Sequence, residues 1–206
     1  MRNVNDILAH RFACKKYKSD PISKSDMISI LEAGRLSPTS SFGLEAWTFH
    51  VAESSALLSS CFYQESMKTS PVTVVITVKR GCFFDPDGAF IRERAERFPG
   101  SVEEFIDDYR GYDEFLRDGG RLDGWSRSQA YLACASMMTR AAEMGIQSCA
   151  IEGYDNDKVL SVLGLDPELE EVGIVVTFGY PDEPEREKIR ISQEEAFVFH
   201  YGKDNI

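Results

Sequence analysis

The chain has 206 residues, with 34 acidic against 23 basic side chains and a formal net charge of −11 at pH 7. That balance excludes broad electrostatic binding to nucleic acid, and 43% hydrophobic with 28% charged residues is a globular composition rather than a disordered one. Five cysteines without a C-x-x-C pair point to free thiols in a reducing compartment, and three histidines without ligand spacing argue against a metal site.

The start, MRNVNDILAHRF, lacks the charged-then-apolar pattern of a secretion signal, and no apolar run is long enough to span a bilayer. A soluble, cytoplasmic protein without membrane contact is therefore expected. Its length suits one well-cored domain or two small ones.

Residues 4–10 read as a short amphipathic helix ending in a basic cluster around Arg11 and Lys15. A second helix starts after Ser23 or Ser25, either of which can cap it. That helix must stop near Ser37, because Pro38 disfavours helical geometry in the residue before it. Thr39, Ser40, Ser41, Phe42 and Gly43 form a polar, glycine-containing loop, and residues 47–52 alternate as a strand does. Residues 54–62 are expected to be helical. The run VTVVITV at 72–78 is β-branched at every position, which predicts a strand buried on both faces.

Residues 85–123 differ in character, with twelve acidic and six basic side chains and two helical stretches at about 89–98 and 102–116. Lying between two hydrophobic segments, they read as a lid or as a solvated excursion without a role. From Gln129 small and apolar residues fall on nearly every helical face, which predicts a buried central helix. Gly145 sits where a helix end takes a left-handed residue. Residues 146–151 then read as a strand that breaks at Glu152 and Gly153, either an ordinary turn after a core helix or the kind of corner where sheets bind ligands. A helix at 155–163 and a third buried strand at 172–179 follow. The tail is polar to Arg190 and apolar at 197–201, as though it docks on its own core or on a second subunit.

Chemistry has few candidate seats. Arg11 with Lys15, and Arg186, Lys188 and Arg190, are basic clusters on an acidic chain. Lys188 and Arg190, two apart in an extended segment, share one face. The guanidinium fork matches phosphate, although on the pattern alone solvated surface charge is the first reading. No G-x-G-x-x-G, Walker A or G-x-S-x-G motif is present. Cys134 and Cys149 lie in apolar segments and read as core fillers.

Four blocks in order carry a resemblance: Arg11 to Tyr17 (RFACKKY), Ser37 to Trp47 (SPTSSFGLEAW), residues 129–154 ending in IEGY, and residues 173–179 followed by Lys188-Ile189-Arg190. Together they resemble the FMN-dependent nitroreductases, the family of oxygen-insensitive NAD(P)H nitroreductases. The sequence departs from that pattern at Phe12 and Ala13, where His-Ser or Arg-Ser is usual so that a hydroxyl contact is lost, and at Ala46 and Ala150, where proline is usual.

The resemblance implies an α+β fold, an α/β/α sandwich with a mixed, mostly antiparallel sheet flanked by helices. It further implies one FMN-binding domain over 1–206 with a helical lid at about 85–124, and a homodimer with FMN at the interface. Arg11, Lys15, Lys188 and Arg190 fall where the family holds the phosphate, with Phe12 and Ala13 beside them. Pro38, Thr39 and Ser40 fall where the partner subunit lines the cofactor. Ala150, Ile151, Glu152 and Gly153 fall beside the isoalloxazine ring, with the backbone of Glu152 and Gly153 near flavin N5. Gln64 and Gln129 complete the expected contacts.

The implied activity is ping-pong hydride transfer from NADH or NADPH to flavin N5, then to a nitroaromatic, quinone or similar small acceptor, with no catalytic side chain. Phe90, Phe98, Phe105, Tyr109, Tyr112 and Phe115 are the candidates for shaping the acceptor pocket. An FMN-binding sensor or carrier, and another flavin reaction such as dehalogenation or flavin destruction, keep the same cofactor residues and stand as alternatives.

Overall fold

In the computed structural model, which describes residues 3–40, 42–62 and 64–200, the VTVVITV run lies in the middle of a sheet. The strands are β1 (Trp47–Ala52), β2 (Val72–Lys79), β3 (Gln147–Ile151) and β4 (Glu170–Gly179). They lie in the order β1-β2-β4-β3, and each neighbouring pair is antiparallel. A parallel contact enters through the isolated bridge between Ala13 and Ser148, on the outer edge of β3.

Because side chains alternate along a strand, β2 and β4 feed two cores. Val74, Ile76 and Val78, with Ile174, Val176 and Phe178, face α2 (Lys24–Arg35) and α7 (Leu122–Glu143). Val75 and Val175, with Cys149 and Ile151, face α3 (Ser54–Leu57), α4 (Glu65–Thr69) and α8 (Asn156–Leu163), and a register shift that skips Gly173 turns Val172 to the same side. Val74, Val75 and Ile76 are wholly buried, and each such side chain contributes about 1.5–3 kcal/mol of burial. Helices thus cover both faces, as a sandwich requires.

Helix ends follow their sequence signals. Asn3 caps α1 (Val4–His10), and Ser23 caps α2 by accepting from the Asp26 amide at 3.1 Å. Helix α7 ends at Gly145, whose φ of +76° turns the chain. The Gly145 amide donates to the Ala142 carbonyl at 3.1 Å and the Ile146 amide to that of Ala141 at 2.9 Å, a paired closure of the last turn.

Two boundaries and one burial pattern differ from expectation. The helix expected over 54–62 is broken: α3 gives way to a 3-10 turn at Leu58–Ser60, and Cys61 then bridges Tyr154. Helix α7 begins at Leu122, inside the expected excursion, because Leu122 and Trp125 pack into that excursion's own core. Nor is α7 buried all round, since Tyr131 and Leu132 are 39% and 40% exposed.

The excursion carries α5 (Ala89–Ala95) and α6 (Val102–Asp118), built around Phe84, Ile91, Tyr109 and Leu116. After β4 the tail runs to α9 (Gln193–Ala196), closed by a capping box between Ser192 and Glu195. Phe197, Val198 and Phe199 are exposed beyond it, and Tyr201 lies outside the described residues. No helix among the described residues is long and apolar enough to cross a membrane.

Candidate functional site

Strand β3 is an edge strand, and the segment after α1 runs along its open side. The Cys14 amide donates to the Ser148 carbonyl at 3.2 Å, and the Phe12 amide to Gln147 Oε1 at 3.2 Å. The tail leaving β4 folds back over the same segment. The Asp182 amide donates to the Lys16 carbonyl, and Glu183 accepts from the amides of Lys15 and Lys16. Two chain ends remote in sequence are thereby zipped together at one sheet edge.

This zipper gathers the basic residues. Arg11, Phe12, Ala13, Arg186, Glu187, Lys188, Ile189 and Arg190 line one cavity of about 260 Å³. Four cations and a single carboxylate surround it, and Arg186 is paired with Glu183. Lys188 donates from Nζ to the Arg11 carbonyl, and Arg190 donates to the carbonyl of Ile189. Burial lowers the Arg11 pKa from its ordinary value, and the charge of Arg190 lowers it further. Lys188 is lowered likewise, by burial first and then by Arg11 and Arg190. The charge of Arg190 thus disfavours the protonated form of both neighbours, a penalty that an anion placed among them would relieve.

The other expected residues fall into two further groups. Ala150 and Glu152 are exposed at the end of β3, where Phe62 donates its amide to the Gly153 carbonyl at 2.7 Å. The Gln64 side chain lies against Gly153, with Nε2 3.0 Å from where a Cβ would stand. Arg127, which sequence reasoning did not single out, approaches the same corner and donates to the Tyr154 hydroxyl at 3.1 Å. The remaining group is on α7: buried Gln129 accepts the Ser40 amide at 2.8 Å and donates to the Trp125 carbonyl at 3.1 Å. Its amide group is therefore occupied in holding the loop that carries Pro38, Thr39 and Ser40.

Lys15 takes a different place from its neighbours. Its ammonium reaches the Cys149 sulfur at 3.0 Å rather than lining the cavity with Arg11. Cys149 and Cys134 are both buried, as core fillers are. Phe12 is buried with Cys14 and Tyr17, whereas Ala13 is exposed. Among the six aromatics of the excursion, Tyr109 is wholly buried and donates to the Phe84 carbonyl, so it packs. Phe98 and Phe115 are 43% and 53% exposed.

The model of the nitroreductase family matches residues 8–180 of this chain. The chain belongs to the nitroreductase family. An assigned NAD(P)H nitroreductase of Staphylococcus epidermidis is 34% identical over 212 residues, covering 94% of this chain and 95% of the relative. The solved structures that resemble this nitroreductase family chain share its fold at low identity. A nitroreductase-like protein of Streptococcus mutans superposes with a TM-score of 0.82 at 14% identity, covering 96% of this chain and 98% of that one. An assigned nitroreductase of Exiguobacterium sibiricum, solved in complex with FMN, gives 0.74 at 18% identity, covering 97% and 98%. The α+β sandwich is thus the nitroreductase fold.

Proposed function

We propose that this protein is an FMN-dependent oxidoreductase that takes hydride from NADH or NADPH and passes it, in a ping-pong cycle, to a nitroaromatic, quinone or similar small acceptor. The observation that carries this reading is the cationic cavity beside the open edge of β3. Its donor set fits the phosphate of FMN: the partly buried Arg11 guanidinium and Lys188 ammonium with the exposed guanidinium of Arg190, their charges opposing one another.

FMN, when bound, supplies the atom that accepts and returns hydride. The chain's own part is binding and orientation. Arg11, Lys188 and Arg190 hold the phosphate, flanked by Phe12 and Ala13. The Ser148 carbonyl faces outward to Cys14, so the main-chain groups of Ala150, two residues on, face the same open edge. Residues 150–153 thereby offer backbone donors to the ring, and Gln64 lies alongside them. Lys15, aimed inward at Cys149, places a positive charge beneath that edge, where it would stabilise negative charge on a reduced ring.

Pro38, Thr39 and Ser40, held by Gln129, form a separate group suited to the cofactor of a second copy. Exposed Tyr131 and Leu132 on α7, and the exposed apolar residues of the tail, fit a homodimer. Residues 85–124 would then cover the acceptor, with Phe98 and Phe115 the exposed aromatics available to it.

Titrating the apoprotein with FMN and with riboflavin, which lacks the phosphate, tests the assignment. FMN should bind at least tenfold more tightly, since charge-assisted hydrogen bonds contribute about 1.5–3 kcal/mol each. Equal affinities would overturn the phosphate site.

A further inference from the structure

Residues 42–45 hold an uncommon backbone. Phe42, Gly43 and Glu45 have φ values of 55°, 55° and 48°, a left-handed region that is unfavourable for Phe42 and Glu45. Such conformations persist only where the surroundings over-determine them, and they cluster at functional sites. Here most of the described contacts come from the excursion, and Arg35 of α2 adds its charge near Glu45. The Phe42 ring sits edge-on to Phe105 and Tyr109, with centroids 5.3 and 5.4 Å away, and tilts against Tyr112 at 5.8 Å. Arg97 donates to the Gly43 carbonyl at 2.9 Å and pairs with Glu45 at 2.6 Å. Arg94 donates to the Leu44 carbonyl at 2.8 Å. The Phe98 ring stands 2.7 Å from where a Cβ on Gly43 would lie, so a side chain there would push that ring aside.

A short way upstream, the Ser40 amide is fixed to buried Gln129 on α7. The loop is thus anchored at one end by the central helix and at the other by α5 and α6. We propose that Phe42 and Arg97 are positioning residues: they latch the strained turn to the excursion and so set the placement of Pro38, Thr39 and Ser40 against the cofactor. The inference rests on the reading of those three residues as cofactor-lining. It makes the excursion a clamp that cannot move without displacing the loop, so that cofactor retention and the position of α5 and α6 are coupled.

The test uses Phe42→Ala, Phe42→Tyr and Arg97→Ala, the last removing a half-exposed side chain outside the core. Two quantities are read: amide exchange over residues 37–46 of the apoprotein, and the FMN dissociation constant from flavin fluorescence. Phe42→Ala and Arg97→Ala should both speed exchange in that loop and raise the dissociation constant at least tenfold, while Phe42→Tyr stays close to the parent. Faster exchange with unchanged FMN affinity would overturn the inference and leave the FMN reading intact. Unchanged exchange would show that there is no latch. A parent that takes up no FMN would overturn the reading and the inference together. Should Phe42→Ala fail to fold, Arg97→Ala alone decides.

Discussion

The ammonium of Lys188 donates to the backbone carbonyl of Arg11 across 177 positions of sequence. That contact closes the zipper between the tail and the first basic segment, and it brings Arg190 close enough to lower the Arg11 pKa. Among the described residues Arg190 itself donates to the neighbouring Ile189 carbonyl alone, so its removal should spare the fold. Arg190→Ala is expected to raise the FMN dissociation constant about 10- to 150-fold, from the loss of about 1.5–3 kcal/mol. The variant should purify nearly colourless with an unchanged unfolding midpoint.

The sheet and its flanking helices were legible because their signals are local. The β-branched run at 72–78, the Ser23 cap and the Gly145 stop each specify their element within a few residues. The Arg11, Lys188 and Arg190 cluster was legible as charge on an acidic chain, but its convergence depends on tertiary contacts such as Asp182 to Lys16. Arg127 was missed because nothing local marks it: its role arises only where Tyr154 crosses the start of β4. The break in the expected helix at 54–62 was likewise hidden, since Cys61 is claimed by a bridge to a residue far along the chain.

Gly173 on β4 lies so close to α7 that an added Cβ would stand 2.5 Å from the Ala130 Cβ and 3.1 Å from the Ile76 carbonyl oxygen. Neither neighbour is the movable end of a long side chain. Gly173→Ala should therefore destabilise the protein by about 1–3 kcal/mol, the usual cost of overpacking a filled core. A denaturant melt checks this, and an unchanged midpoint would mean that helix and strand are not packed this tightly.

The five thiols should divide sharply in reactivity. Burial pushes Cys14 and Cys134 up to about 12 and Cys61 up to about 11, where almost no thiolate exists at neutral pH. Cys149 is buried, and Cys82 alone is exposed. An Ellman assay should count one fast thiol per native chain and five after unfolding, with the fast one absent from Cys82→Ser.

Stability should fall with pH in two stages. On the sheet, His50 meets the Thr77 hydroxyl at 3.1 Å, and that hydroxyl donates to Glu170 at 2.6 Å. Burial lowers the His50 pKa below 6.5, so the unfolded chain takes up the proton more readily and stability drops as pH falls through that value. Burial raises Glu170, but its hydrogen bonds to Lys79 and Thr77 outweigh this and leave it below 4.5. Its contribution is complete above 4.5 and is lost as pH falls further. Denaturant midpoints should show both declines in the parent, and only the lower one in His50→Gln.

The most direct measurement of the central claim is an anaerobic visible spectrum of the FMN-loaded protein, before and after adding NADH or NADPH and then a quinone or nitroaromatic. The flavin absorbance should bleach with a nicotinamide and return with the acceptor, in proportion to the acceptor added. A yellow protein that neither nicotinamide bleaches would contradict the oxidoreductase assignment.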